Sequence, residues 1–245
     1  MPEKINILGV PVDRVNYEEA LCIFDNLMDS PGCSLIVTPN SEIVVNASKD
    51  KELMKIISAA ELVIPDGIGL VYASRILGKP LKERVTGIDF LGHILEHLEK
   101  SGKSVFFFGS KPGVAEAAIG NIVKKHPALR IAGHQHGYFN ADEEERIVEA
   151  INGSGADFLC IALGSPKQEK FVYKYKDCLM ARAAIGVGGS LDVWAGTVRR
   201  APEFYRKNGL EWLFRFMQQP SRYKRMAALP LFMIKVVMTG GGSKK

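Results

Sequence analysis

The chain has 245 residues, of which 47% are apolar and 24% charged, with a formal net charge of +5. That composition suits one domain with a real core, alone or with an appendage, and no run reaches the roughly 18 apolar residues of a membrane-spanning helix. Internal repeats and low-complexity tracts are absent, and the four cysteines form no C-x-x-C pair, which fits a reduced, cytosolic setting.

The charge is unevenly spread. Residues 199–245 hold 11 Lys and Arg against two acidic residues, whereas residues 1–198 hold 21 against 25. An acidic body with a basic tail points to a polyanionic surface, either nucleic acid or anionic lipid.

Taken in order, INILGV and PVDRV predict a short strand pair. Residues 17–29 read as a helix with Ala20, Leu21, Phe24 and Leu27 on one face. The apolar run SLIV then ends in Thr38-Pro39-Asn40, and residues 41–60 read as one or two helices. ELVI ends in Pro65-Asp66-Gly67, which opens a helix that stops at Gly78-Lys79-Pro80. Residues 87–100 are helical. SVFFF ends in Gly109-Ser110-Lys111-Pro112-Gly113 before a helix to 125. An acidic first turn at 142–145 opens the next helix. FLCIAL ends in Gly164-Ser165-Pro166-Lys167-Gln168 before a helix at 166–177, and residues 183–188 form the last strand, ending in Gly188-Gly189-Ser190.

Short apolar runs alternating with helices predict a Rossmann-like α/β fold: a mostly parallel sheet with helices on both faces. The expected division is an α/β core over 1–198, a helical, membrane-associating appendage over 199–240 and a flexible tail at 241–245. Ligands of such sheets bind at the carboxyl ends of the strands, so the five strand-end strings should converge on one site.

Each string also has an ordinary structural reading. Asp66 serves either as a turn or cap aspartate or as an active carboxylate, with Gly67 and Gly69 letting a ligand near the backbone. Thr38 and Asn40 either bind a ligand hydroxyl or, for Asn40, cap the following helix. Gly109, Pro112 and Gly113 lie in a loop whose free N–H groups suit phosphate, although it is neither a Walker A loop nor a G-x-G-x-x-G fingerprint. Gln168 opens its helix facing the strand ends. Gly188, Gly189 and Asp192 belong to a glycine-rich turn that either lies against a nucleotide or is only a tight turn. His93 with His97, and His134 with His136, lack a third ligand at metal-binding spacing, so no metal is expected. In the tail, Arg215, Arg222, Lys224 and Arg225 precede MAALPLFMIKVVM. That stretch is too short to span a bilayer. It suits either an interfacial helix with its arginines at lipid phosphates or a core-packing helix.

Together the strings resemble the WecG/TagA/CpsF glycosyltransferases. The resemblance is carried by ILGVPVD at 7–13, TPN at 38–40, PDG at 65–67, RVTGID at 84–89 and GSKPGVAE at 109–116. It continues through GYF at 137–139, ALGSPKQE at 162–169, GVGGSLDVWAG at 186–196, RAPEF at 200–204 and LEWLFR at 210–215. These run in order along nearly the whole chain.

The resemblance implies an inverting, metal-independent hexosyltransferase without cofactor, cytoplasmic and peripheral on the inner face of the cell membrane. It implies transfer of N-acetylmannosamine from its UDP donor to undecaprenyl-diphosphate-N-acetylglucosamine, as in the linkage unit of wall teichoic acid. The same chemistry with the uronic acid of that sugar, and a non-catalytic UDP-sugar or lipid-phosphate binding module, are the alternatives. On this reading Asp66 is the general base towards the acceptor's 4-hydroxyl, Thr38, Asn40 and Gln168 position the sugars, and Arg215, Arg222 and Arg225 meet lipid or substrate diphosphate. The partners are the two substrates and an anionic membrane, not nucleic acid. Self-association off the membrane would hide the apolar tail.

Overall fold

The computed structural model describes residues 2–220 and 228–241. It is an α/β fold around a six-stranded parallel sheet, as expected. The last strand of the described residues ends at Gly186, and the described residues beyond it form helices and their connections.

The chain opens with an antiparallel hairpin, β1 (Lys4–Ile7) and β2 (Val10–Asp13). Leu8 and Gly9 at its turn both take positive φ, the backbone a tight two-residue hairpin requires. The buried Asp13 carboxylate accepts the Val63 N–H at 2.7 Å, which fastens the hairpin to the sheet. Helix α1 (Tyr17–Asp29) starts at an Asn16–Glu19 capping box and buries Ala20, Phe24 and Met28.

The remaining strands are β3 (Ser34–Val37), β4 (Leu62–Val63), β5 (Ser104–Gly109), β6 (Arg130–Gln135), β7 (Phe158–Ala162) and β8 (Ala183–Gly186). They lie in the order β4-β3-β8-β7-β5-β6, and every pairing is parallel. Alternate residues serve opposite faces. Phe106, Phe108, Leu159 and Ile161 join one buried cluster, whereas Phe107, Phe158, Cys160 and Ile185 join the other.

Two strands differ from expectation. The ELVI run forms only a two-residue strand, because its chain turns at once into the Pro65-Asp66-Gly67 loop. The edge strand β6 has no apolar run to announce it: RIAGHQ is half-exposed along its length, as an edge permits.

The crossover helices are α2 (Ser41–Ala47), α3 (Lys51–Ser58), α4 (Ile68–Ile76), α5 (Gly87–Ser101), α6 (Val114–Lys125), α7 (Glu144–Gly153), α8 (Lys167–Tyr175) and α9 (Ser190–Trp194). The expected acidic helix start at 142–145 is a 3-10 turn, Ala141–Glu143, leading into α7.

Among the described residues three further helices, α10 (Glu203–Lys207), α11 (Glu211–Gln218) and α12 (Ala228–Gly241), return to the body. Arg200 pairs with Asp89 of α5, and Gln218 exchanges hydrogen bonds with the Arg199 main chain. Helix α12 packs on α2 and α4 with Phe232 and Val236 fully buried, while Leu231, Ile234, Val237 and Met238 face outward. One face of the apolar stretch is thus packed on the body, and the other is exposed. The expected flexible tail lies, apart from Gly241, outside the described residues.

Because Phe232 anchors α12, Phe232→Ala is expected to remove about 3–5 kcal/mol of packing. Hydrogen exchange should show the loss first in α12, α2 and α4, with the amides of β5 and β7 still protected. Equal loss throughout the sheet would contradict a separately docked helix.

Candidate active site

A cavity of about 260 Å³ opens at the carboxyl ends of β3, β4, β7 and β8. Thr38, Asn40, Asp66, Gln168, Gly188 and Gly189 line it, together with Arg84, Glu211, Trp212 and Arg215. Four of the five strand-end strings therefore converge. The fifth does not: Gly109, Pro112 and Gly113 lie off this cavity, with Pro112 and Gly113 exposed to solvent. Gly109 takes a φ of +126°, and a Cβ there would fall 2.4 Å from the Ala162 carbonyl carbon. Its glycine is required by the close approach of β5 and β7.

Asp66 follows β4 at once. Its N–H donates to Pro39 O at 3.2 Å, which joins the loop after β4 to the loop after β3. The residue capping α4 is Gly67, with no side-chain cap bond, so the Asp66 carboxylate does not cap the helix it precedes. It is half-buried in the cavity floor, near Arg84, Glu211 and Arg215 and facing the Gly87 N–H at the start of α5. Burial pushes its pKa up to about 6, against the opposing pull of Arg84.

Gly67 and Gly69 serve packing as well as access. A Cβ on Gly67 would lie 3.2 Å from Asn40 Cβ, and one on Gly69 would lie 2.1 Å from Ser41 Oγ and 3.0 Å from Leu229 Cδ1. They admit α2 and α12 beside α4.

The other polar side chains are partly committed to the fold. Thr38 Oγ1 donates to Gly186 O at 3.0 Å, tying β3 to β8. Asn40 Oδ1 accepts Ile43 N–H at 3.1 Å and caps α2, the ordinary reading of that residue. Gln168 Oε1 accepts the N–H groups of both Gly164 and Gly188 at 3.1 Å, and its Nε2 donates to the buried Glu169 at 2.9 Å. A Cβ on Gly186 would meet Gln168 Nε2 at 2.4 Å, so that glycine makes room for the amide. Gln168 knots the loops after β7 and β8, and Pro166 holds the cap position of its helix.

Asp192 lies in a small adjoining hollow with Gly189, Arg215 and Gln219. Arg222 and Arg225 lie outside the described residues. The histidine pairs are elsewhere: His97 Nε2, on α5, sits 2.9 Å from Asp25 of α1, and His134 lies 3.8 Å from Glu116. Among the described residues no group of three or more His, Cys, Asp or Glu side chains is arranged to hold a metal ion.

Sequence reasoning missed Arg84 and Glu211. Arg84 donates to Glu211 at 2.7 Å across 127 positions of chain. Arg84 begins the RVTGID string, and Glu211 is one of two acids in the basic tail. Those signals were present, but their pairing was not.

The arrangement gathers the carboxylates of Asp66, Glu42 and Glu211, two guanidinium groups and several main-chain loops around one cavity. A family model described as "Glycosyl transferase WecG/TagA/CpsF family" matches residues 5–245. Among relatives, the N-acetylglucosaminyldiphosphoundecaprenol N-acetyl-beta-D-mannosaminyltransferase of Bacillus spizizenii is 34% identical over 218 residues, covering 89% of this chain and 84% of the relative. The protein of the same name from Bacillus subtilis is 34% identical over 204 residues, covering 83% and 79%. That from Staphylococcus aureus is 33% identical over 246 residues, covering 99% and 95%.

The raised pKa of Asp66 has a consequence for stability. The folded state disfavours the ionised carboxylate, so stability present below the unfolded value near 3.8 is lost as pH rises through about 6. Asp66→Asn is therefore expected to be more stable than the native chain at pH 7.5, by a margin that shrinks between pH 6 and 4. Urea titrations across that range check it.

Proposed function

The chain belongs to the WecG/TagA/CpsF family of glycosyltransferases, and from that premise we propose that it transfers N-acetylmannosamine from UDP to N-acetylglucosamine on undecaprenyl diphosphate. The product would be the linkage unit of a wall teichoic acid. The relatives' names support the sugar and the acceptor. The observation that carries the chemistry is the Asp66 carboxylate, half-buried at the strand ends near Arg84 and Arg215.

In this reaction Asp66 takes the proton of the acceptor hydroxyl as that oxygen attacks C1 of the donor sugar. The bond from C1 to the diphosphate oxygen breaks, and its electron pair leaves with UDP. A sugar hydroxyl is hard to ionise, so proton transfer must accompany attack, and a base with a pKa near 6 suits neutral pH. Direct displacement needs one carboxylate and no covalent intermediate, so the anomeric centre inverts. This parallels inverting glycosidases, which use no enzyme nucleophile.

Thr38 and Gln168 act through the loops they tie, holding Gly164, Gly188 and Gly189 against the substrates. Asn40 fixes the start of α2 beside them. Arg84 and Arg215 offset charge on the departing UDP, a task that a metal ion performs in other transferases. Arg222 and Arg225 are assigned to lipid or substrate diphosphate on the same grounds as before, their charge and their place in the chain.

No helix among the described residues is long and apolar enough to cross a membrane. The outward face of α12, with Ile234 and Val237 more than half exposed, is proposed to lie in the cytoplasmic membrane interface, where the lipid acceptor resides.

UDP release from UDP-N-acetylmannosamine, with lipid-diphosphate-N-acetylglucosamine as acceptor and EDTA present, tests the chemistry. The native chain should turn over, and Asp66→Ala should lose about a hundredfold or more. Turnover with only the uronic-acid donor would transfer the reading to that sugar, and UDP-sugar binding without turnover would favour a binding module.

For the membrane, Ile234→Glu combined with Val237→Glu should reduce turnover of acceptor in anionic vesicles about tenfold or more. Turnover of a detergent-dispersed acceptor should be unchanged. Equal loss in both assays would contradict the interfacial role.

A further inference from the structure

Two arginines from distant parts of the chain enter the cavity wall, and one carboxylate lies between them. Arg84 stands in the loop before α5, whereas Glu211 and Arg215 are one turn apart on α11. Glu211 Oε2 accepts from Arg84 Nη2 at 2.7 Å, and Glu211 Oε1 lies 3.7 Å from Arg215 Nη2. The Glu211 side chain is only 12% exposed. Arg84 is also held by Arg206 O at 3.4 Å, and its buried Nε has no partner.

We propose that Glu211 is a positioning residue for the transfer: its carboxylate holds both guanidinium groups at the cavity and offsets part of their charge, so that the nucleoside diphosphate is stabilised while it departs and then released. This rests on the glycosyltransferase reading above.

The physical argument concerns one missing charge. Without Glu211, Arg84 and Arg215 would repel each other across a partly desolvated space, where charge interactions are stronger than in water. They would also present their full positive charge to a diphosphate and to Asp66. A diphosphate would then bind more tightly as product, and Asp66 would be a weaker base. The groups around Asp66 support this balance. Arg84 and Arg215 lower its pKa and Glu211 raises it, with Tyr17 and Asp89 hydrogen-bonded to Thr86 of the lining and Glu42 lining the cavity from α2. An ordinary surface ion pair would do none of this.

Glu211→Gln keeps the shape and removes the charge, which separates clamping from charge balance. Calorimetry with UDP is expected to show about tenfold tighter binding to Glu211→Gln than to the native chain. The acid limb of its kcat/KM profile should move to lower pH, and kcat should fall as release slows. Glu211→Ala, which also frees both arginines, should lose further kcat. Thermal melting of both variants checks that they fold, and the UDP titration requires no turnover. Equal or weaker UDP binding by a folded Glu211→Gln, or an unmoved pH limb, would overturn the proposal. Failure of the native chain itself to bind UDP would instead overturn the glycosyltransferase reading and this proposal with it.

Discussion

Every strand of the sheet runs the same way, so every strand releases its chain onto the same edge. A parallel sheet must also be covered on both faces, since its connections are helices packed across it. These two constraints leave the strand ends as the parts of the sheet where loops gather, and the loops that follow the strands all lie at the carboxyl edge. The loops after β3, β4, β7 and β8 meet there because those strands are neighbours. The loop after β5 is kept off the cavity because β7 stands between β5 and β8. The order of the strands, rather than the chemistry of each loop, decides which motifs share the site.

Once the loops meet, their polar groups satisfy one another before any substrate arrives. Gln168 spends its oxygen on two main-chain N–H groups, and Thr38 spends its hydroxyl on a carbonyl. Buried polar groups are costly to leave unpaired, so this is what a preformed site at a sheet edge demands. It leaves Asp66 as an acid on the cavity floor whose carboxylate does not cap the helix it precedes. Partial burial and a nearby guanidinium act on it in opposite directions, and burial prevails. Structural polar groups therefore form the frame, and a destabilised carboxylate is the proposed reactive centre.

The helices after residue 199 have a double relation to this centre. Helix α11 supplies cavity wall through Glu211, Trp212 and Arg215, and α12 covers α2 and α4 with one apolar face while showing another to solvent. A helix apolar on both sides is stable only if both sides find apolar surroundings. The fold provides one set, and the proposed lipid interface provides the other. On the proposed function, the same part of the chain joins the site to the lipid-linked acceptor.

Local pattern was enough for much of this. The central strands β3, β5, β7 and β8 are short β-rich runs, buried on both faces, and such runs are legible because burial demands unbroken apolarity. Helix starts were legible where a cap or proline marks them, and Asp66 stood out by following a strand on a turn. The edge strand β6 was not legible, because an edge tolerates RIAGHQ with no apolar signature. Nor was the role of Gly109, whose need is set by the approach of Ala162 more than 50 residues away. The tertiary structure alone decided that Gln168 faces two glycine N–H groups and that Arg84 meets Glu211. It also decided that the 109–113 loop falls outside the cavity. Each of these depends on which distant segments the sheet order brings together, and a side chain's task at such a meeting is set by its partner rather than by its neighbours in the chain.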